Sequence, residues 1–212
     1  MTGVGIDGGV AVRVAALCLD AKGRLSDRLL ASAAVRGGLL VDLALAGRVE
    51  STEDSVVVDP TPTGFAPADR LLGAIGAEPE RSLDGWLDEK RIGLRHVADG
   101  AVQAGRWAVV RRMVPGGQRY VDGDRALTES DRIRQPSQLS DSWSPEDAAV
   151  TAIGLVAGLL AFPAEREVLE LLVARTGSAA WLCQAVTEHL AETRARNAWT
   201  AAVMGSGSVG PF

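Results

Sequence analysis

Three arginines are the residues whose type and spacing could support binding chemistry. Arg36 lies within the most regular apolar stretch of the chain. Because an unpaired guanidinium is costly to bury, the sequence predicts either a structural ion pair, for example with Asp42, or an anion site. Arg91 and Arg95 are four residues apart, so on a helix their side chains would leave the same face. They form either a solvated basic face or, with a third arginine nearby, a pocket for a phosphate group.

The remaining polar residues predict no catalytic or metal-binding arrangement. The histidines, His96 and His189, are not at metal-ligand spacing with other donors, and the glutamates around His189 are typical of a solvated helix surface. The sequence contains no Gly-x-Ser-x-Gly elbow and no glycine-rich phosphate loop ending in Lys-Ser or Lys-Thr. Cys18 and Cys183 lie far apart in apolar segments, which predicts buried free thiols. We therefore expect no enzymatic activity, no cofactor and no metal.

Length and composition indicate a soluble protein with a single domain at residues 10–204. Residues 1–9 are rich in glycine and are expected to be disordered, and residues 205–212 have the composition of a flexible tail. The longest uncharged run, residues 148–162, is too short to span a bilayer, and the N-terminus has no signal-peptide pattern. These features predict a cytoplasmic location.

The charges are unevenly distributed along the chain. The net charge of −5 argues against a protein that coats nucleic acid. Residues 42–89 carry eleven acids against three arginines, whereas residues 90–119 carry seven basic residues against Asp99. This change of sign indicates two differently charged faces, one of which could contact an anion.

Helical periodicity dominates the apolar pattern, and two hairpin signals interrupt it. The strongest predicted helix covers residues 29–45, and a helix over 91–103 would carry Arg91 and Arg95. Short hairpins are predicted near 48–58 and near 106–121. Further helices are predicted for residues 67–75, 83–88, 146–162, 165–176 and 179–194 and around Trp199. The predicted fold is therefore mainly α, with a helical core of about seven to nine helices and two β-hairpins.

The longest motif resembles the signature of a known family. The run Val35-Arg36-Gly37-Gly38-Leu39-Leu40-Val41-Asp42-Leu43-Ala44-Leu45-Ala46-Gly47-Arg48 is similar to Leu-Arg-Gly-x-x-Leu-x-Glu-Leu-Ala-Leu-x-Gly-Arg of the Golgi phosphoprotein 3 family. The loop Asp59-Pro60-Thr61-Pro62-Thr63-Gly64 resembles the family's Pro-Thr-Gly loop. Trp86 and the segments at 102–105 and 198–203 also match, so the resemblance covers residues from about 10 to 204. The lysine-poor, Ala- and Gly-rich composition is typical of a bacterial member.

This resemblance implies a non-enzymatic peripheral membrane protein with a helical core and a β-hairpin. Eukaryotic members bind phosphatidylinositol 4-phosphate on Golgi membranes and adapt glycosyltransferases for retention. The family's headgroup pocket uses a Trp, an Arg of the first motif and two helix arginines three residues apart. Those positions correspond here to about Asp27, to Arg36, and to Arg91 and Leu94, with Arg95 adjacent to the last. The resemblance thus predicts an anionic headgroup held by Arg36, Arg91 and Arg95.

The second hairpin is the predicted surface element. Its Trp107, Arg111 and Arg112 combine an aromatic ring with basic residues, as an interfacial membrane contact requires. An oligomer contact is an equal alternative, because exposed strand edges pair readily. Two further hypotheses stay open: a protein-interaction adaptor or oligomeric scaffold without lipid recognition, and a winged-helix DNA binder, against which the acidic balance argues.

Overall fold

The computed structural model describes residues 5–26, 30–51, 56–111 and 118–205, without the side chains of Arg111 and residues 203–205. This part of the chain is mainly helical, with two small antiparallel hairpins, as predicted. The helices are α1 Val10–Leu17, α2 Ala31–Leu45, α3 Ala66–Ala77, α4 Leu83–Leu87, α5 Leu94–Gln103, α6 Arg125–Ile133, α7 Pro145–Val156, α8 Arg166–Arg175 and α9 Ala180–Gly205. The strands are β1 Val49–Ser51, β2 Val56–Val58, β3 Trp107–Arg111 and β4 Gln118–Asp122.

Two glycines of the first motif let the central helix α2 pack closely on both sides. A Cβ atom at Gly38 would lie 2.8 Å from the Cα of Ala11 on α1. A Cβ atom at Gly37 would lie 2.3 Å from a methyl group of Val186 on α9. Since real Cβ atoms do not approach so closely, α2 can sit between α1 and α9 only with glycine at these positions.

Asp42 fixes the beginning of α1 from the neighbouring helix. Its two carboxylate oxygens accept hydrogen bonds from the amides of Val10 at 2.7 Å and Ala11 at 2.9 Å. The first amides of a helix have no partner within that helix, so Asp42 satisfies groups that would otherwise be buried unpaired. Burial raises the pKa of Asp42 to about 7, and the two amide donors oppose that shift.

Residues 5–9 belong to the folded structure instead of forming a disordered end. Ile6–Gly8 is a single 3-10 turn that leads into α1. Its Asp7 accepts a hydrogen bond from Nε of Arg106 at 2.8 Å, just before β3. The glycine content of this segment predicted flexibility, but a long-range ion pair and the packing of α1 hold it in place.

The two hairpins have the predicted positions. β1 and β2 pair from Val49 opposite Val58 to Ser51 opposite Val56. β3 and β4 pair from Trp107 opposite Asp122 to Arg111 opposite Gln118. Trp107 is only 5% exposed and packs edge-on against the ring of Tyr120, with 6.0 Å between the ring centroids. The second hairpin is thus anchored in the core through its aromatic residues.

The sequence-based prediction differs from the structure at helices α5, α6, α7 and α9. Helix α7 ends at Val156 and not at residue 162. Helix α5 begins at Leu94 and not at residue 91, because Gly93 is extended and the Leu94 amide donates to Oγ of Ser32 on α2 at 3.3 Å. Helix α6 lies in a polar segment outside the helices predicted from the apolar pattern. Helix α9 runs unbroken through both of the helices predicted at the C-terminal end.

Candidate functional site

Arg36 is a buried cation held by backbone carbonyl groups. The residue is only 7% exposed, its Nε donates to the carbonyl of Leu87 at 2.6 Å, and its Nη1 donates to the carbonyl of Ile92 at 2.7 Å. Asp42, the partner considered from the sequence, is occupied by the amides of α1. Arg36 therefore ties α2 to both ends of the segment 88–93, which we call the α4–α5 loop.

The pKa of Arg36 reflects this unusual environment. Burial lowers it from the ordinary value of an arginine, and the carboxylates of Asp88 and Glu89 partly offset that effect. Among the described residues no carboxylate forms an ion pair with Arg36. The charge of Arg36 is thus balanced at longer range by acids of the loop that it supports.

A second arginine braces the same loop from the side of α4. Arg81 donates to the carbonyl of Gly85 at 2.6 Å and to Oε2 of Glu89 at 2.9 Å. Its guanidinium carbon also lies 4.5 Å from the centroid of the Trp86 ring, which is a cation–π contact. The amide of Arg91 and the guanidinium of Arg81 lower the pKa of Glu89, so this carboxylate stays charged.

Helix α9 holds the third side of the loop through a histidine whose role the sequence did not indicate. The His189 ring is almost completely buried, and its Nδ1 lies 2.8 Å from Oδ1 of Asp84. Its Nε2 is sealed from solvent without a hydrogen-bond partner and lies 3.4 Å from Oδ1 of Asp88. The neighbouring glutamates predicted a solvated histidine, which is wrong: contacts distant in sequence bury this ring against α4.

Arg91 is the most accessible of the predicted site residues. Its side chain is 84% exposed, and its Nε lies 3.5 Å from Oε1 of Glu89, which also accepts a hydrogen bond from the Arg91 amide. Because Arg91 precedes the first residue of α5, it does not share a helical face with Arg95, contrary to the prediction. The loop presents its guanidinium to solvent beside the exposed Lys90. Such donors can grip a phosphate.

Arg95 is directed to the second hairpin. Its Nη2 donates to Oε1 of Gln118 on β4 at 3.1 Å. In the same cluster the hydroxyl of Tyr120 donates to Oδ1 of Asp99 at 2.6 Å. Burial and this bond to Asp99 raise the pKa of Tyr120 to about 12. The structure thus brings Arg36 and the Arg91 loop together, whereas Arg95 extends the basic surface towards the hairpin.

The remaining positions predicted to contact a headgroup or a membrane are either buried in the core or outside the described residues. Leu94, where the family signature has its second helix arginine, is buried in the core, since its backbone is fixed to Ser32. Trp107 is buried as well and is therefore not a surface contact, a correction to the sequence-based prediction. Arg112 and Asp27 lie outside the described residues, as does the side chain of Arg111.

The described residues contain another buried charge cluster, whose ion pairs join helices to one another. Arg13 on α1 donates to Asp131 and to Asp147, each at 2.6 Å, and Arg134 contacts both of these carboxylates. Its charges are mutually paired, so it joins α1, α6 and α7 and is explained by the fold. In the described part of the chain no group of three His, Cys, Asp or Glu residues could hold a metal ion.

Comparison with known proteins assigns the family. The family model of Golgi phosphoprotein 3 matches residues 13–204, nearly the whole chain. This chain belongs to the Golgi phosphoprotein 3 family. A search of curated protein sequences finds no match to it. Within the described residues of this family member, no helix combines the length and the apolar character needed to cross a membrane.

Proposed function

We propose that the chain is a non-enzymatic peripheral membrane protein that binds an anionic phospholipid headgroup at the α4–α5 loop. The observation that carries this proposal is the exposed guanidinium of Arg91 on a loop that the buried Arg36 anchors at both ends. The Golgi phosphoprotein 3 family, known for binding phosphatidylinositol 4-phosphate, supplies the class of ligand. Lys90 and Arg95 enlarge the basic surface around this loop.

The charges of the loop define what kind of anion it favours. The carboxylates of Asp84 and Asp88 are largely exposed and repel a diffuse negative surface. A compact phosphate group can approach Arg91 and Lys90 directly, so that short-range, charge-assisted hydrogen bonds outweigh that repulsion. A phosphorylated headgroup therefore fits this site better than an unmodified anionic lipid.

The test is co-sedimentation with vesicles of phosphatidylcholine alone and with added phosphatidylinositol 4-phosphate, phosphatidylinositol or cardiolipin. Arg91→Gln is the informative variant, because Arg91 is exposed and its removal leaves the fold intact. We expect salt-sensitive binding that is strongest with phosphatidylinositol 4-phosphate and about fivefold weaker in Arg91→Gln, from about 1 kcal/mol per basic residue near an anionic surface.

Arg166→Gln is the matched control. Arg166 is 91% exposed on α8, pairs with Glu170 and carries the same charge as Arg91. Equal losses in the two variants would mean that net charge alone governs binding and would refute a site at the α4–α5 loop. Wild-type protein that ignores every anionic vesicle would refute lipid binding altogether.

A protein-interaction adaptor or oligomeric scaffold is the second candidate. Val56 and Val57 on β2 are 52% and 51% exposed, and Val110 on β3 is exposed to a similar extent. Apolar side chains on short hairpins of this kind favour contact with another protein surface. Sedimentation velocity over a range of concentrations tests this candidate, which predicts a defined oligomer without any vesicle present.

A further inference from the structure

The C-terminal part of α9 extends beyond the packed body of the protein. Arg194 is the last residue of α9 seen to hydrogen-bond another described element, through Nη1 and the carbonyl of Val156 at 3.2 Å. Beyond it the observed bonds stay within the helix, as from Thr200 to the carbonyl of Arg196. Three further turns of helix follow, and isolated helices this short are marginal in water.

This projecting part, residues 195–205, carries the most exposed of the large apolar side chains seen in the described residues. Trp199 is 70% exposed. Ala195, Arg196 and Ala202 lie three or four residues from it, so they share its face of the helix. The face therefore combines an aromatic ring, small apolar residues and a cation whose long stem can lie along an apolar surface.

The charge of the segment has one sign. Residues 195–205 carry the positive charge of Arg196 and no acid, and Arg194, which bonds Val156, precedes them. An exposed tryptophan and an arginine are residue types that anchor helices at the interface of an anionic membrane. A second copy of the chain would bring arginine against arginine across a symmetric contact of this segment, so charge complementarity favours lipid.

The projecting part is also continuous with the candidate headgroup site. His189 of the same helix contacts Asp84 and Asp88 beside the α4–α5 loop. Trp199 follows ten residues later, which places it about 15 Å further along the helix axis. A membrane engaged at the loop is thus within a few helical turns of Trp199.

We infer that residues 195–205 of α9 form a second membrane contact, in which Trp199 enters the lipid interface and Arg196 faces anionic headgroups. This contact is independent of the α4–α5 loop and adds apolar insertion to it. It recognises an anionic lipid surface in general, without selecting a particular headgroup.

The experiment places an environment-sensitive dye on Ala202→Cys and, as control, on Glu167→Cys at an exposed position of α8. Selective labelling is possible because Cys18 and Cys183 are fully buried, and burial raises the pKa of Cys183 to about 12. Vesicles of phosphatidylcholine with phosphatidylserine should raise and blue-shift the emission at position 202 and leave that at position 167 unchanged. Trp199→Ala should weaken binding about tenfold, the loss expected when roughly 60 Å² of apolar surface stays in water.

The outcomes separate this contact from the headgroup site. If wild type binds vesicles while the dye at position 202 stays silent, the α9 contact is refuted, and the loop site is still decided by comparing Arg91→Gln with Arg166→Gln. If Trp199→Ala loses binding but Arg91→Gln does not, the loop site fails and the α9 contact stands. A dye signal that rises with protein concentration in the absence of vesicles would identify a second copy as the partner and overturn the inference.

Discussion

Replacing Arg36 with Met removes the guanidinium but keeps a long apolar stem in the same space. The carbonyls of Leu87 and Ile92, both in fully buried residues, then lose the donors that now lie 2.6 and 2.7 Å away. A buried carbonyl without a partner costs about 1–3 kcal/mol, and relief from burying a charge offsets part of that cost. We expect Arg36→Met to lower the free energy of unfolding by about 2–4 kcal/mol.

Urea denaturation followed by circular dichroism measures this change, and thermal unfolding should shift by about 2–4 °C for each kcal/mol in a chain of this size. Arg91→Met is the matched control on the same loop. Because its side chain is 84% exposed, its stability should stay within about 0.5 kcal/mol of wild type.

Wild-type stability in Arg36→Met would refute the view that Arg36 anchors the loop. So would an equal destabilisation by Arg91→Met, since an exposed guanidinium has no buried partner to leave unsatisfied. The comparison also decides how binding data are interpreted. Loss of lipid binding in an Arg36 variant reports a displaced loop together with any lost headgroup contact, whereas loss in an Arg91 variant reports the contact alone.

Three further predictions follow from the packing and from the buried carboxylate. Gly38→Ala should destabilise the fold by about 1–3 kcal/mol, because the added methyl group overpacks against Ala11. Gly73→Ala, at an exposed helix position with open space around it, should stabilise the fold by up to about 1 kcal/mol. Urea unfolding of both variants checks this contrast. Trp107→Ala should cost about 3–5 kcal/mol in the same assay, because the ring is buried, and an unchanged stability would contradict its place in the core. Since burial raises the pKa of Asp42 from its ordinary range to about 7, its protonated form stabilises the fold below about pH 4, and that contribution is lost as the pH rises to about 7. The stability of wild type relative to Asp42→Asn should therefore fall between those pH values, and a difference that is constant with pH would show that Asp42 does not titrate in this range.

Much of the fold could be predicted from local patterns. The apolar period of α2 and the hairpin signals at 48–58 and 106–121 each depend on residues close together in the chain. The first motif was also sufficient to indicate the family, which the family model over residues 13–204 then established. The boundary of α5 was less predictable, because Ser32, more than sixty residues away, contributes to fixing Leu94.

The candidate site also combines features that local sequence predicts with contacts between residues far apart in the chain. The apolar residues around Arg36 predicted that its guanidinium needs partners, and the charge pattern predicted a basic segment after an acidic one. The identity of those partners, the carbonyls of Leu87 and Ile92, depends on how α2 packs against the α4–α5 loop, and the same packing leaves Asp42 to cap α1. The burial of His189 against Asp84 likewise arises from a contact between α9 and α4. Such contacts join residues far apart in sequence, and no local period encodes which buried donor meets which acceptor.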